Sequence, residues 1–146
     1  MFKNILIPTD GSERSQSAMR VGIELAKLHQ ARITGVHVIP DYHLLIAYEG
    51  AFDPVTEERI EEEAKTRAET YLAYIRKSAQ DAGVPCETVC ETSDHPYDAI
   101  LKTANNRKCD LIVMTSHGRK GLAAMLLGSE TRKVLTHGRI PVLVVR

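Results

Sequence analysis

The sequence has no surplus of charge of either sign and no long apolar run. Its 146 residues include 19 basic and 19 acidic side chains, so the formal net charge is zero. Nucleic-acid binding through a broad basic surface needs clustered lysine and arginine, and this composition argues against it. No apolar run approaches the roughly 20 residues that span a bilayer, and no leader-like segment precedes the first strand-like run. We therefore expect no membrane span and a cytoplasmic location.

Cysteines are scarce and poorly spaced for cross-linking. Cys86 and Cys90 fall in one predicted strand, which places their Cα atoms about 13 Å apart, whereas a disulfide needs less than about 7 Å. Cys109 opens another predicted strand, and no C-x-x-C or zinc-ligand spacing occurs. We expect three small buried apolar residues, with a redox role as the alternative.

Several catalytic and nucleotide-binding motifs are missing. The sequence contains no G-x-x-x-x-G-K-[ST], no G-x-G-x-x-G after its first strand, no G-x-S-x-G and no H-E-x-x-H. These absences exclude the P-loop, the standard dinucleotide fingerprint, the hydrolase elbow and the paired-histidine zinc helix. No nucleophile–base pair is identifiable, so we predict no catalytic residue and no metal ligand. Enzymatic activity is therefore the less favoured of the two alternatives.

What the sequence does contain is a regular alternation of strand-like and helix-like segments. Predicted strands cover Lys3 to Thr9, Arg32 to Ile39, Cys86 to Thr92, Cys109 to Thr115 and Val142 to Val145. This alternation predicts an α/β fold with one open parallel sheet and helices on both faces. The first helix carries an apolar stripe at helical spacing (Ala18, Val21, Leu25, Leu28) and is capped by Ser12 or Ser15. The long apolar connector from Asp41 to Asp53 is either a lid or partner contact, or it packs on the nearest helix.

A glycine-rich loop follows the fourth predicted strand. The stretch from Val113 to Ser129 reads V-M-T-S-H-G-R-K-G-L-A-A-M-L-L-G-S, with three glycines, hydroxyl residues and two cations before a helix. Glycines let backbone N–H groups approach a ligand closely, and the N-terminus of the following helix favours negative charge. The composition therefore predicts a loop that binds an anion.

The spacing within this loop resembles that of the universal stress protein family. Nine residues separate Gly118 from Gly128-Ser129, which matches the family pattern of Gly, two residues, Gly, nine residues, Gly-Ser/Thr, with Thr115 at the first glycine position. The resemblance extends from I-L-I-P-T-D-G-S at the N-terminus through H-V-I (His37 to Ile39) to the closing P-V-L-V-V-R. The chain is thus identified as one family domain over residues 1–146. The resemblance implies a Rossmann-like five-stranded sheet of order 3-2-1-4-5 and a homodimer through Val142 to Val145.

In that strand order the loops after strands one and four meet at one crevice, where ligands of such sheets bind. Asp10 is placed to accept hydrogen bonds from a ribose or base, or it only forms an Asx turn. Gly118 and Gly128 give close approach to phosphates, or only turn geometry, and Ser129 binds phosphate or caps the last helix. By resemblance, Val38 lines the adenine. The predicted binding residues are Pro8, Thr9, Asp10, Val38, Met114, Thr115, Gly118, Arg119, Gly121, Gly128, Ser129 and Glu130.

Three functional hypotheses follow. The first is a regulatory protein that binds ATP or AMP, with Mg²⁺ when a triphosphate is bound. The second is a family member that binds no nucleotide and acts through protein contacts, motivated by Thr115, since threonine suits that position poorly if φ is positive there. The third and least supported is a slow ATP hydrolase. No nucleic-acid partner is expected.

Overall fold

A computed structural model describes residues 1–41, 54–117 and 127–146. Within these ranges the elements are β1 (Asn4–Pro8), α1 (Glu13–His29), β2 (Arg32–Ile39), α2 (Pro54–Asp81), β3 (Cys86–Thr92), α3 (Pro96–Asn106), β4 (Leu111–Thr115), α4 (Ser129–His137) and β5 (Val142–Val145). The five strands pair in parallel in the order β3-β2-β1-β4-β5. The predicted α/β class and strand order are confirmed.

The sheet is covered on both faces because successive residues of a strand point to opposite sides. Ile5 and Ile7 of β1 belong to one buried cluster, with Ile23 of α1 and Ile75 of α2. Leu6 of the same strand belongs to a second cluster, which contains Ile100 of α3 and Val134 of α4. Residues 5–7 are fully buried, as expected for a central parallel strand with helices above and below.

The predicted stripe on α1 is only partly right. Ala18 is buried, but Leu28 is 78% exposed and Val21 lies near the surface. The helix packs instead through a face that includes small residues, and a Cβ added at Gly22 would lie 2.6 Å from the Cδ1 atom of Ile7. Small side chains let the helix approach β1 closely. A prediction from the spacing of large apolar residues does not detect such a face. The predicted Ser12 cap is present, since its hydroxyl accepts a hydrogen bond from the Ser15 N–H.

Strand β4 begins at Leu111 and not at Cys109. The Cys109 N–H donates to the carbonyl of Ala104 (2.8 Å) and closes the end of α3, while Lys108 adopts a left-handed φ of 53°. Cys109 is therefore part of a helix termination. Cys109 is buried as expected, but Cys86 is only half-buried and Cys90 is exposed on β3, so the expectation of burial is partly right for Cys86 and wrong for Cys90. β3 is an edge strand, which explains that exposure.

The described helices lack the combination of length and hydropathy that a membrane span needs. None of them in residues 1–41, 54–117 and 127–146 is long and apolar enough to cross a bilayer.

Candidate functional site

A cavity of about 450 Å³ opens at the carboxyl ends of β1, β2 and β4. Its volume falls within the roughly 300–1,000 Å³ of small-molecule sites. It lies where the direction of winding reverses between β1 and β4, the place at which open α/β sheets bind ligands. The lining residues are Pro8, Thr9, Asp10, Ser15, Val36, His37, Val38, Pro96, Ile100, Met114, Thr115, Gly128, Ser129, Glu130 and Thr131.

This wall includes every predicted binding residue that lies in the described ranges. Gly118, Arg119 and Gly121 lie outside the described residues, and so does the connector from residue 42 to residue 53. The sequence prediction missed Ser15, Val36, His37, Pro96, Ile100 and Thr131. Pro96 and Ile100 were missed because nothing in the local sequence shows that α3 packs beside the crevice.

The loop after β1 is shaped by hydrogen bonds within residues 9–12. Asp10 Oδ1 accepts from the Ser12 N–H (3.0 Å), and Thr9 Oγ1 accepts from the Gly11 N–H (3.1 Å). The Asx turn considered for Asp10 is therefore present, and the same residue lines the cavity. Gly11 has a φ of +76°, and a Cβ there would lie 2.2 Å from the Tyr71 ring. The turn thus requires glycine for its backbone and for the packing of α2.

His37 is held against this loop. Its Nδ1 atom lies 2.7 Å from the carbonyl oxygen of Thr9. A carbonyl only accepts, so Nδ1 carries the proton and, in the neutral ring, Nε2 is the acceptor. The ring also meets Tyr71 edge-on, with centroids 5.2 Å apart. These two contacts fix the orientation of His37 on the cavity wall.

Thr115 fits its position without backbone strain. It is the last residue of β4 and is extended, so the positive φ that would make threonine unsuitable does not occur. Its hydroxyl donates to the His117 carbonyl (2.7 Å), and its own carbonyl accepts from Thr131 Oγ1 (2.8 Å). The threonine side chain therefore shapes the start of the glycine loop.

The other end of the loop returns to the same place. The Gly128 N–H donates to the Ser116 carbonyl (2.7 Å), and a Cβ at Gly128 would lie 3.0 Å from that carbonyl oxygen. Gly128 is the N-cap of α4, and Ser129 is the first helical residue. The cap role considered for Ser129 is therefore wrong. Gly128 has no side chain that could cap the helix. Since the first N–H groups of a helix have no partner inside it, this helix end suits an anion.

Glu130 connects α4 to α3 across the cavity wall. Its Oε2 accepts from the Tyr97 N–H (2.8 Å), and its Oε1 lies 3.2 Å from Lys133 Nζ. The Lys133 ammonium also lies 5.4 Å from the centroid of the Tyr97 ring. The predicted binding residue Glu130 is thus on the wall with its carboxylate engaged by protein groups.

Metal binding by protein ligands alone finds no support in the described part of the chain. Among those residues, no group of three or more histidine, cysteine, aspartate or glutamate side chains could hold an ion.

A parallel sheet with an apolar crevice at its switch point, closed on one side by a helix N-terminus, defines an α/β protein of Rossmann-like architecture. The universal stress protein family model matches residues 1–146, and the chain belongs to that family. It is 36% identical over 149 residues to the universal stress protein in the QAH/OAS sulfhydrylase 3'region of Thermus aquaticus, with both chains covered completely. It is 33% identical to universal stress protein MJ0531 of Methanocaldococcus jannaschii, covering 100% of this chain and 83% of that protein.

Solved structures agree with the fold. The structure of MJ0577, a protein of Methanocaldococcus jannaschii, is similar with a TM-score of 0.79 and 32% identity, covering 99% of this chain and 96% of that one. A universal stress protein in complex with cAMP matches with a TM-score of 0.74 at 22% identity, covering 99% of this chain and 97% of that one. The universal stress protein from Archaeoglobus fulgidus in complex with dAMP matches with a TM-score of 0.71 at 20% identity, covering 99% of this chain and 98% of that one. At these identities the two complexes show the fold alone.

Proposed function

We propose that this universal stress protein binds an adenine nucleotide in the crevice between β1 and β4 and acts as a stress-response regulator through its occupancy. The observation that carries the proposal is the cavity of about 450 Å³ at the switch point, whose wall combines an apolar floor with a helix N-terminus. No catalytic step is part of the proposal.

The residues that line the cavity include partners for each part of a nucleotide. Val36, Val38, Ile100 and Met114 offer an apolar surface for a flat base. Asp10 lies on the same wall, where a carboxylate can accept hydrogen bonds from ribose hydroxyls or an exocyclic amine. The Gly128-Ser129 end of α4 provides N–H groups, a hydroxyl and a positive dipole end for phosphate oxygens.

The proposed ligand is ATP or AMP, with Mg²⁺ accompanying a triphosphate. Magnesium keeps several waters and binds through phosphates with one or two carboxylates, so it needs no cluster of protein ligands. The cAMP and dAMP complexes show that other proteins of this fold hold adenine nucleotides. In this chain the feature that supports adenine-nucleotide binding is its own crevice.

The first test is nucleotide-dependent stabilisation. Ligand at 100 times its dissociation constant stabilises the native state by about 2.7 kcal/mol, so millimolar ATP with Mg²⁺, or AMP, should raise the Tm of nucleotide-stripped protein by several degrees. Val38→Phe should fill part of the cavity beside the other apolar lining residues and abolish the shift in Tm. Val89→Phe is the matched control, because Val89 is also a half-buried valine, on neighbouring β3, and does not line the cavity.

The result decides between the two main hypotheses. A shift in the unmodified protein and in Val89→Phe, absent from Val38→Phe, supports nucleotide binding in this crevice. An unchanged Tm with every nucleotide in a folded protein would refute it and favour action through protein contacts alone.

The proposal includes a homodimer through β5. Among the strands of the described ranges, β5 pairs with β4 alone, and Leu143 on it is 38% exposed. An apolar edge strand is a surface on which a second strand can pair. Leu143→Lys should shift the protein from dimer to monomer in light scattering at micromolar concentration, whereas Leu28→Lys, at an exposed leucine of α1, should not. A monomeric unmodified protein would contradict this part.

A cytoplasmic location is also proposed. All three cysteines are free, which fits a reducing compartment. Cell fractionation with detection of the protein tests this, and recovery from an oxidising compartment would contradict it.

A further inference from the structure

One carboxylate on the cavity wall is fixed beside the expected phosphate end. Glu130 lies in the first turn of α4, next to Gly128 and Ser129, and its side chain is 34% exposed. Its neighbours Ser129 and Thr131 also line the cavity. A phosphate chain at the start of α4 would therefore lie close to a negative charge of the protein itself.

The position of this carboxylate is set by α3. Helix α3 begins after His95, which makes no side-chain cap hydrogen bond. The Tyr97 N–H instead donates to Glu130 Oε2, so a residue of α4 caps α3. A carboxylate at a helix N-terminus is favoured by the unpaired N–H groups and the dipole, which holds the Glu130 side chain in place.

The charge of Glu130 is partly balanced by Lys133. The ammonium lies 3.2 Å from Glu130 Oε1 and over the Tyr97 ring. Lys133 does not line the cavity within the described residues. A ligand in the cavity therefore lies nearer to Glu130, which lines the wall, than to Lys133, which does not.

We propose that Glu130 determines which nucleotides the crevice accepts, by disfavouring long phosphate chains. The inference rests on the proposed nucleotide binding at this site. Repulsion grows with each added phosphate charge and is absent for adenosine, so without Mg²⁺ the site prefers AMP to ATP. Mg²⁺ neutralises part of the triphosphate charge and narrows the difference.

The test is a set of charge variants titrated calorimetrically with adenosine, AMP and ATP in the presence of a chelator. Glu130→Gln keeps an oxygen that can accept from Tyr97 while removing the charge. For unit charges roughly 7 Å apart, Coulomb's law gives a change in ATP affinity of about threefold at the dielectric constant of water and about fiftyfold at the effective value near 20 of a protein surface, and we expect a gain within this range. The gain for AMP should be smaller and adenosine should stay within about twofold.

Lys133→Gln leaves the carboxylate unbalanced and should weaken ATP binding more than AMP binding. The double variant Glu130→Gln/Lys133→Gln should return close to the unmodified protein. Asp81→Asn is the matched control, because Asp81 also pairs with a lysine, Lys77 at 3.0 Å. It ends the helix that precedes β3, so it lies toward the amino ends of the strands, whereas the cavity opens at their carboxyl ends. This variant should change no affinity.

The outcomes separate this inference from the proposed function. If the unmodified protein binds neither adenosine nor any nucleotide, the proposed function fails and this inference with it. If it binds and Glu130→Gln changes adenosine, AMP and ATP affinities equally, Glu130 only holds α3 and α4 together and the inference is overturned. Selective weakening of ATP by Glu130→Gln, or no change for any ligand, would also overturn it.

Discussion

Thr103 carries a buried hydroxyl that makes no hydrogen bond within the described residues. The residue lies in α3 and is 3% exposed. Its Oγ1 is the one buried side-chain nitrogen or oxygen in the described part of the chain without a hydrogen-bond partner. A hydroxyl taken from water without compensation is destabilising. Thr103→Val exchanges the hydroxyl for a methyl group of nearly the same shape, so the variant should be more stable than the natural protein.

The magnitude follows from the desolvation of one hydroxyl. Mutational data place this penalty at about 1–3 kcal/mol, and we expect a gain of about 1–2 kcal/mol because valine and threonine have similar helix propensities. For a chain of this size, 1 kcal/mol corresponds to about 3 °C in Tm. The predicted increase is therefore roughly 3–6 °C, without a change in the secondary structure seen by circular dichroism.

Thr34 provides the matched comparison with the opposite sign. It is fully buried in β2, and its hydroxyl lies 3.1 Å from Asn4 Oδ1 and 3.3 Å from Glu87 Oε1. Thr34→Val removes the donor from two acceptors, and leaving a buried acceptor without a partner costs about 1–3 kcal/mol. The variant should unfold at lower temperature and lower urea concentration.

Urea titrations and thermal melts of both variants test the reasoning together. Equal slopes of unfolding free energy against urea would show that each midpoint change is a stability change. A loss of stability in Thr103→Val would refute the argument, because it would mean that the hydroxyl has a partner, such as a buried water. An unaffected Thr34→Val would refute the assigned hydrogen bonds.

Two further predictions concern a turn and a thiol. Gly11→Ala places a methyl group against the Tyr71 ring at a φ of +76°, whereas Gly83→Ala has a similar φ of +73° and nothing within 4 Å. In urea titrations we expect the free energy of unfolding to fall by about 1 kcal/mol for Gly83→Ala and by at least about 2 kcal/mol more for Gly11→Ala. Equal losses would contradict the Tyr71 contact. Burial raises the pKa of the Cys86 thiol from 9.0 to about 11. As pH rises, this thiol therefore ionises first in the unfolded chain, and the free energy of unfolding falls between about pH 9 and 11. Cys86→Ala should flatten this part of the profile of stability against pH, and an unchanged profile would show that the folded thiol titrates normally.

Local sequence determined most of the fold. An apolar run such as Ile5 to Ile7 indicates a central strand, because a strand covered by helices on both faces needs apolar side chains on both faces. The turn at Pro8 to Ser12 and the Ser12 cap depend on residues a few positions apart, so their signals are visible in the sequence. The spacing of Gly118 and Gly128 identified the family, and the family supplied the strand order.

The tertiary structure decided which side chains face the cavity and what holds them. The face of α1 that packs depends on how closely Gly22 approaches Ile7, and Leu28 is left outside as a result. Pro96 and Ile100 reach the crevice because α3 lies beside α4, and the Tyr97–Glu130 hydrogen bond joins residues 33 positions apart. Contacts of this kind have no periodic signature, since they depend on the relative placement of whole elements. The sequence by itself therefore determined the sheet, the place of the crevice and part of its lining, Glu130 included. Only the packed structure determined the lining residues from α3 and the contacts that hold Glu130 in place.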